Sequence, residues 1–358
     1  MEKMEAPTHR ILDTISAHLG EPLSINQLTE KIKEKYGNAH YSNTYKKTKE
    51  LENIGALTID SYGNSCIIRP NFENEITIDL LSEVEIEKKI AFLKEKNEFS
   101  DIFLTLRKRI DDICSIRSIS SINSEKNSEL NRLELLFLTR EPGDYREYRT
   151  ITCELYNRTK EIQEQYNLRI DSLILNESEF SFLISSKEIN PLREAIGREI
   201  TIFCPQAFWS TIKEISEKSE IVSIKTETKP YNIPEDDLTY NLNRFGYKEF
   251  GTKRSQGKKY CIEYIIISLL QSNEIRRLEA APVMLAKNAF SPNLLTFLAQ
   301  KYAATAKLLG ILRTLRNIKP SEVIEETINL MENLTDKEEA PIDEESTIRN
   351  LRLYNVLH

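Results

Sequence analysis

Glycine is scarce in this chain, and most of what there is punctuates its first third. There are 10 glycines in 358 residues, where average usage is roughly 7%. A loop that cradles phosphate needs several glycines in a short window, so that backbone N–H groups can close on the oxygens. The nearest grouping here is Gly246, Gly251 and Gly257, with no Gly-Lys-Ser/Thr after it. That argues against Gly-rich-loop ATPases and kinases, and against Rossmann dehydrogenases. The same scarcity implies a helix-rich chain with few tight turns. The length implies two or three domains.

Other totals narrow the class further. Net charge is −7 with 29% charged residues, an ordinary soluble balance. No apolar run reaches the 18 or so residues of a membrane span, and the N-terminus lacks a signal-peptide core. A cytoplasmic protein without membrane contact is therefore expected. Cys66, Cys114, Cys153, Cys204 and Cys261 are far apart, which suggests reduced, mostly buried thiols. His9, His18, His40 and His358 form no metal-ligand pattern, so no metal site is expected.

The first seventy residues are the most legible. Thr8 can cap a helix bearing Ile11, Leu12, Ile15 and Leu19, ended by Gly20. Ser24 and Gln27 form an S-x-x-Q capping box for a second helix, ended by Gly37. A third is expected over Ser42–Asn53, with Tyr45, Leu51 and Ile54 inward and Gly55 just past its end. Two β-prone runs, 57–59 and 66–68, flank Tyr62-Gly63-Asn64, which is hairpin chemistry.

Three short helices followed by a hairpin resemble the winged helix-turn-helix domain. The resemblance implies that the third helix enters the major groove of double-stranded DNA while the hairpin touches the backbone. Carried onto this sequence, the DNA-binding residues are Ser42, Asn43, Thr44, Tyr45, Lys46, Lys47 and Lys49 on the helix, with Asn64 and Arg69 on the wing. The lysines would neutralise phosphates and Asn43 could read a base edge. Segment 1–70 as a whole balances 9 basic against 9 acidic residues. A solvated face or a protein-binding module therefore remains an alternative.

In the middle, 79–114 reads as two helices, marked by Ile86, Ile90 and Leu93 and then by Phe99, Phe103, Leu106, Ile110 and Ile113. A polar stretch, SISSINSEKNSELNR, precedes a strand at 133–139. A long helix over 144–166, a strand over 169–175, helices at 177–185 and 191–197, and a strand at 199–203 follow. This order resembles the minimal nucleotidyltransferase domain of the DNA polymerase β superfamily, over about residues 99–210. In active members a Gly-Ser turn holds nucleotide phosphates, and three carboxylates hold two magnesium ions. Here Ser120-Ser121 falls at the turn and Ser124-Glu125 at the following Arg-Gly. Arg132-Leu133-Glu134 falls at Asp-x-Asp, and Asp171 at the third carboxylate. The residual catalytic candidates are thus Ser121, Glu134 and Asp171. With an arginine at the first ligand position, the resemblance implies a degenerate, catalytically silent fold. Magnesium would be bound only if the site is active, while residual nucleotide binding stays open.

Residues 226–237 read as a linker, GTKRSQGKK (251–259) as a basic loop, and 260–270 as a buried element. Leu294 to Leu315 recur at helical spacing and imply a bundle, faintly similar to the C-terminal part of AbiEi-type antitoxins and related archaeal regulators. Arg276, Arg277, Lys287, Lys307, Arg313, Arg316 and Lys319 would contact DNA or pair within the bundle. An acidic block at 336–345 precedes an amphipathic end.

The expected fold class is α+β and mostly helical, with an N-terminal winged helix (1–75), a central nucleotidyltransferase-like α/β sheet with leading helices (76–225) and a C-terminal helical bundle (226–335). An acidic linker and terminal segment (336–358) completes it. The expected function is an archaeal-type, homodimeric, DNA-binding transcriptional regulator without a cofactor. The alternative is a magnesium-dependent nucleotidyltransferase of a toxin–antitoxin or defence system.

Overall fold

The computed structural model describes residues 4–62, 65–122, 132–224, 226–248, 255–272, 274–332, 334 and 343–357. Its architecture is α+β and mostly helical, with one two-stranded and one four-stranded sheet. Among the described residues no helix is long and apolar enough to cross a membrane.

The chain begins with α1 (Ala6–Ser16), α2 (Ile25–Tyr36) and α3 (Tyr41–Asn53), followed by the strands β1 (Leu57–Tyr62) and β2 (Ser65–Pro70). Helix α1 starts two residues before the expected cap at Thr8, because Pro7 is preorganised for a first turn. The capping box of α2 is formed: Gln27 N donates to Ser24 Oγ and Ser24 N to Gln27 Oε1. Gly37 ends α2 in the left-handed region at φ 81°. Helix α3 is rotated from the expected face. Thr44, Thr48 and Leu51 point inward, at i, i+4 and i+7, while Tyr45 and Ile54 are 44% and 50% exposed. The two threonines offer a narrow inner edge that lets α3 sit close to α1 and α2. Strands β1 and β2 pair antiparallel with Ile59 opposite Ile68. The expected turn residues Gly63 and Asn64 lie outside the described residues.

Next come α4 (Glu75–Glu95), α5 (Phe99–Ile110), β3 (Ile116–Ser121), β4 (Arg132–Thr139), α6 (Tyr145–Tyr166), β5 (Arg169–Asn176), α7 (Glu177–Ser185), α8 (Pro191–Ala195), β6 (Ile200–Phe203) and α9 (Pro205–Ser216). The sheet order is β5-β4-β3-β6. Strands β4 and β5 are parallel, and β3 is antiparallel to both its neighbours. Part of the polar stretch is therefore a central strand. Ser118, Ser120 and Ser121 are buried in it, and Ser120 Oγ meets Thr201 Oγ1 at 3.1 Å. Small hydroxyl side chains fit between two ladders but carry no apolar period, which hid the strand. Ile86 and Ile90 are 40% and 46% exposed, because α4 turns Ile78, Leu81, Val84 and Glu85 inward instead.

The remaining helices are α10 (Glu235–Arg244), α11 (Ile262–Gln271), α12 (Ile275–Leu278), α13 (Ala280–Lys287), α14 (Pro292–Lys301), α15 (Thr305–Ile318), α16 (Glu322–Glu332) and α17 (Glu344–Leu353). The helical run expected from Leu294 to Leu315 is broken. Ala303 takes φ +53°, so α14 stops at Lys301 and α15 leaves in a new direction. The expected linker is packed in place, with Pro230 buried and Thr228 N donating to Glu194 Oε1. Helix α17 docks on α13 of the same chain and buries Leu351. One face of the four-stranded sheet packs on α5 and α6 through Leu133, Leu135 and Phe137. The other carries Leu136, Leu138, Leu173 and Leu175 into a core shared with the N-terminal and C-terminal helices. The cysteines are free and mostly not buried; only Cys261 is. Their scatter had suggested the reverse, but spacing alone says nothing about burial.

Candidate functional site

The inner face of α3 is fixed by Thr44, Thr48 and Leu51, so its outer face is determined. Ser42 and Asn43 are exposed there. Tyr41 and Tyr45 stack with ring centroids 6.1 Å apart, 51% and 44% exposed. The Lys46 side chain is the most open of the lysines, at 74%. Thr44 is buried at 5% on the inner edge of α3, not on the outer face with its neighbours, a correction to the expected set. The same geometry brings in Tyr41, which sits four residues before Tyr45 and hence on the same face.

Each lysine of α3 has an acidic neighbour. Lys47 Nζ lies 2.6 Å from Glu5 and 2.7 Å from Glu50, and Lys49 Nζ lies 2.7 Å from Glu52. Lys46 is only loosely paired, 3.9 Å from Glu50. Exposed pairs of this kind contribute at most about 1 kcal/mol and exchange partners readily. Lys47 is the most confined, with two carboxylates on its ammonium. Arg69 is exposed on β2, and Asn64 lies outside the described residues.

The second candidate set lies on the sheet. Glu134 on β4 and Asp171 on β5 are register partners, so both side chains leave the same face. Each is only 1% exposed. They meet three cations. Arg132 Nε donates to Asp171 Oδ2 at 2.7 Å, and Arg132 Nη2 lies 3.3 Å from Glu134 Oε1. Arg169 Nε lies 3.1 Å from Asp171 Oδ1. Lys301, the last residue of α14, donates to Glu134 Oε2 at 2.9 Å and to Glu227 Oε1 at 2.7 Å. Arg132 also donates to the Lys301 carbonyl and Arg169 to the Gln300 carbonyl. Burial alone would lower the pKa of Lys301, but Glu134, Tyr302 and Glu227 overcome it and hold the ammonium charged. Arg132 behaves likewise, kept charged against burial by Asp171 and Glu134.

Ser121 does not join this set. It opposes Leu135 on the α5–α6 face of the sheet, whereas Glu134 points to the α14 face. Ser120 and Ser121 lie within β3 and form no phosphate-holding turn. The expected Arg-Gly equivalent at Ser124-Glu125 is outside the described residues.

A magnesium ion does not fit these residues. It needs carboxylate oxygens open to a hard cation, together with waters or substrate phosphates. Here Glu134, Asp171 and Glu227 are matched one for one by Arg132, Arg169 and Lys301. The carboxylates also lie near the amino ends of β4 and β5, while ligands of open α/β sheets gather at the carboxyl ends. Among the described residues no group of three or more His, Cys, Asp or Glu is placed to hold a metal.

The basic residues of the C-terminal helices are largely engaged within the chain. Arg277 pairs with Glu274 and Glu235, Arg313 with Glu332, and Arg316 lies 3.9 Å from Glu325. Lys287, Lys307 and Lys319 donate to main-chain carbonyls. Of the two roles open to them in sequence, these contacts favour pairing inside the bundle. No protein-family model matches the chain, and neither a curated protein nor a solved structure matches it.

Proposed function

We propose that this chain is a double-stranded-DNA-binding transcriptional regulator, cytoplasmic and homodimeric. Its first 75 residues act as a winged helix, and its degenerate nucleotidyltransferase-like sheet and C-terminal helices serve for sensing or dimerisation. The observation that carries the reading is the outer face of α3. It presents Tyr41, Ser42, Asn43, Tyr45, Lys46 and Lys49 together on a helix whose opposite face is locked into the core. In a winged helix the third helix is the one that enters the major groove. Asn43 would hydrogen-bond an adenine edge, and Lys46 and Lys49 would replace counterions on phosphates. Arg69, exposed on β2, is the wing contact.

The nucleotide-transfer alternative is disfavoured by the Arg132, Arg169 and Lys301 contacts at Glu134 and Asp171. Each contact engages a carboxylate oxygen that a magnesium ion would need.

Fluorescence anisotropy with duplex DNA from upstream of the chain's own gene tests the reading. Lys46→Ala plus Lys49→Ala is expected to lower affinity and reduce the salt slope by about 2. Asn43→Ala is expected to narrow the gap between this DNA and scrambled duplex. If all three substitutions leave the binding curves and the salt slope where they were, α3 is not the reading helix.

A further inference from the structure

Strand β6 is an edge of the four-stranded sheet. Beside it, α4 and α5 leave a cleft of about 200 Å³. Its floor is apolar: Leu93, Phe103, Leu106, Ile119 and Ile202 line it. Leu106 and Ile119 are each 1% exposed, so the cleft reaches the core between α5 and the sheet.

Two cations line it as well, Lys89 and Arg107. Lys89 donates to the Ile202 carbonyl at 3.2 Å, and Arg107 lies over the Phe203 ring, 5.7 Å from its centroid. Neither has a carboxylate partner among the described residues. This sets them apart from Arg132, Arg169, Lys301 and the paired cations of the C-terminal helices. Burial and the nearby Arg107 charge together lower the pKa of Lys89, as expected of like charges lining one cleft. Lys89 is half-buried and Arg107 exposed at the rim, so both charges border an apolar hollow that opens to solvent.

We propose that this cleft binds a small monocarboxylate, with its carboxylate between Lys89 and Arg107 and an apolar tail against Phe103, Leu106 and Ile202. Charge complementarity selects the anion, and the apolar floor selects against inorganic ions. Volume sets the tail. A dry cavity of about 150 Å³ holds benzene, so this cleft takes one aromatic ring or a short acyl chain. The carboxylate supplies the opposite charge, and with it charge-assisted hydrogen bonds to both cations. Binding here does not depend on the reading of α3.

The test is calorimetric titration of the full chain with benzoate, hexanoate, benzyl alcohol and inorganic phosphate. Benzoate or hexanoate is expected to bind one to one and saturably, with benzyl alcohol at least tenfold weaker and phosphate weaker still. Lys89→Met and Arg107→Met keep most of each apolar stem and remove the charge. Each is expected to weaken carboxylate binding at least fivefold without changing the unfolding temperature appreciably. Ser100→Trp leaves both cations in place and fills the cleft from an exposed position on its rim; it is expected to abolish binding. The proposal is overturned if neither carboxylate saturates. It also fails if phosphate or benzyl alcohol binds as well as they do, or if Ser100→Trp and both methionine variants bind like the parent chain.

Discussion

Glu199 is a single side chain whose placement sets a pH response. It lies just before β6, 1% exposed, close to Glu85 and Lys88 of α4. Glu85 is well satisfied, accepting from Lys88 Nζ at 2.7 Å and from Thr201 N at 2.9 Å. Burial pushes Glu199 up, Lys88 pulls it down and Glu85 pushes it up again, leaving it at about 7. The group is a carboxylate with a raised pKa, so the folded state holds its proton more tightly than the unfolded state. Below about pH 4.5 both states are protonated. Between about pH 4.5 and 7 the folded state keeps a proton the unfolded state has lost, so stability falls as pH rises. Above about 7 both are ionised and the penalty is constant. A shift of this size corresponds to something on the order of 3 kcal/mol. Glu199→Gln is therefore expected to be more stable than the parent at pH 8 and close to it at pH 4.5; Lys88 keeps Glu85 and Asp13 as neighbouring carboxylates. Urea midpoints at several pH values read this directly. A parent-minus-variant difference that stays flat from pH 4.5 to 8 would remove Glu199 as the titrating group.

At the scale of elements, the end of α14 decides what the sheet carboxylates can do. The turn at Ala303 stops the helix where Lys301 reaches Glu134 and Glu227, and where two main-chain carbonyls reach Arg132 and Arg169. Removing one partner of a buried pair leaves an uncompensated charge and costs about 3–5 kcal/mol. Lys301→Met is expected to lose that much, and adding Glu134→Gln should recover part of it. A double-mutant cycle measured by urea unfolding gives the coupling; additive losses would mean that Lys301 and Glu134 do not interact. The sequence made some of these elements legible and hid others. The α2 capping box, the glycine after α3 and the extent of α7 could be read because caps and periods are local. Glu134 and Asp171 were named from the order of two strands, but that they are register partners comes from the sheet itself. The serine-rich strand β3 could not be read, since Ser118, Ser120 and Ser121 are buried without being apolar. Lys301 was also invisible as a site residue. It lies 167 positions from Glu134, at a break that an alanine in left-handed conformation makes inside an otherwise helical pattern. The face of α3 was misread because threonine, not tyrosine, supplies its inner edge.

At the scale of the molecule, the N-terminal helices are not hung on a tether. Helix α4 packs against α1 on one side and against α9 and β6 on another. Ser223 N donates to the Leu19 carbonyl at 3.1 Å. Just before β6, Gly197 takes φ +85° and lies so close to α1 that an added Cβ would come within 2.4 Å of Ala17 Cα. Only glycine accommodates both the dihedral and that approach. Because Ile11, Leu138 and Leu351 belong to one hydrophobic core, strain introduced at this contact has to spread through the chain. Gly197→Ala should cost about 1–2 kcal/mol for the left-handed backbone and about 1–3 kcal/mol more for overpacking against Ala17. Trp209, fully buried in α9, reports the sheet side by fluorescence, while far-UV circular dichroism reports all the helices. If the core is one cooperative unit, both probes move to the same lower urea midpoint in the variant. If instead the dichroism transition splits while the Trp209 transition stays at its parental midpoint, the N-terminal helices unfold on their own. Anything bound in the β6 cleft would then have no mechanical route to α3.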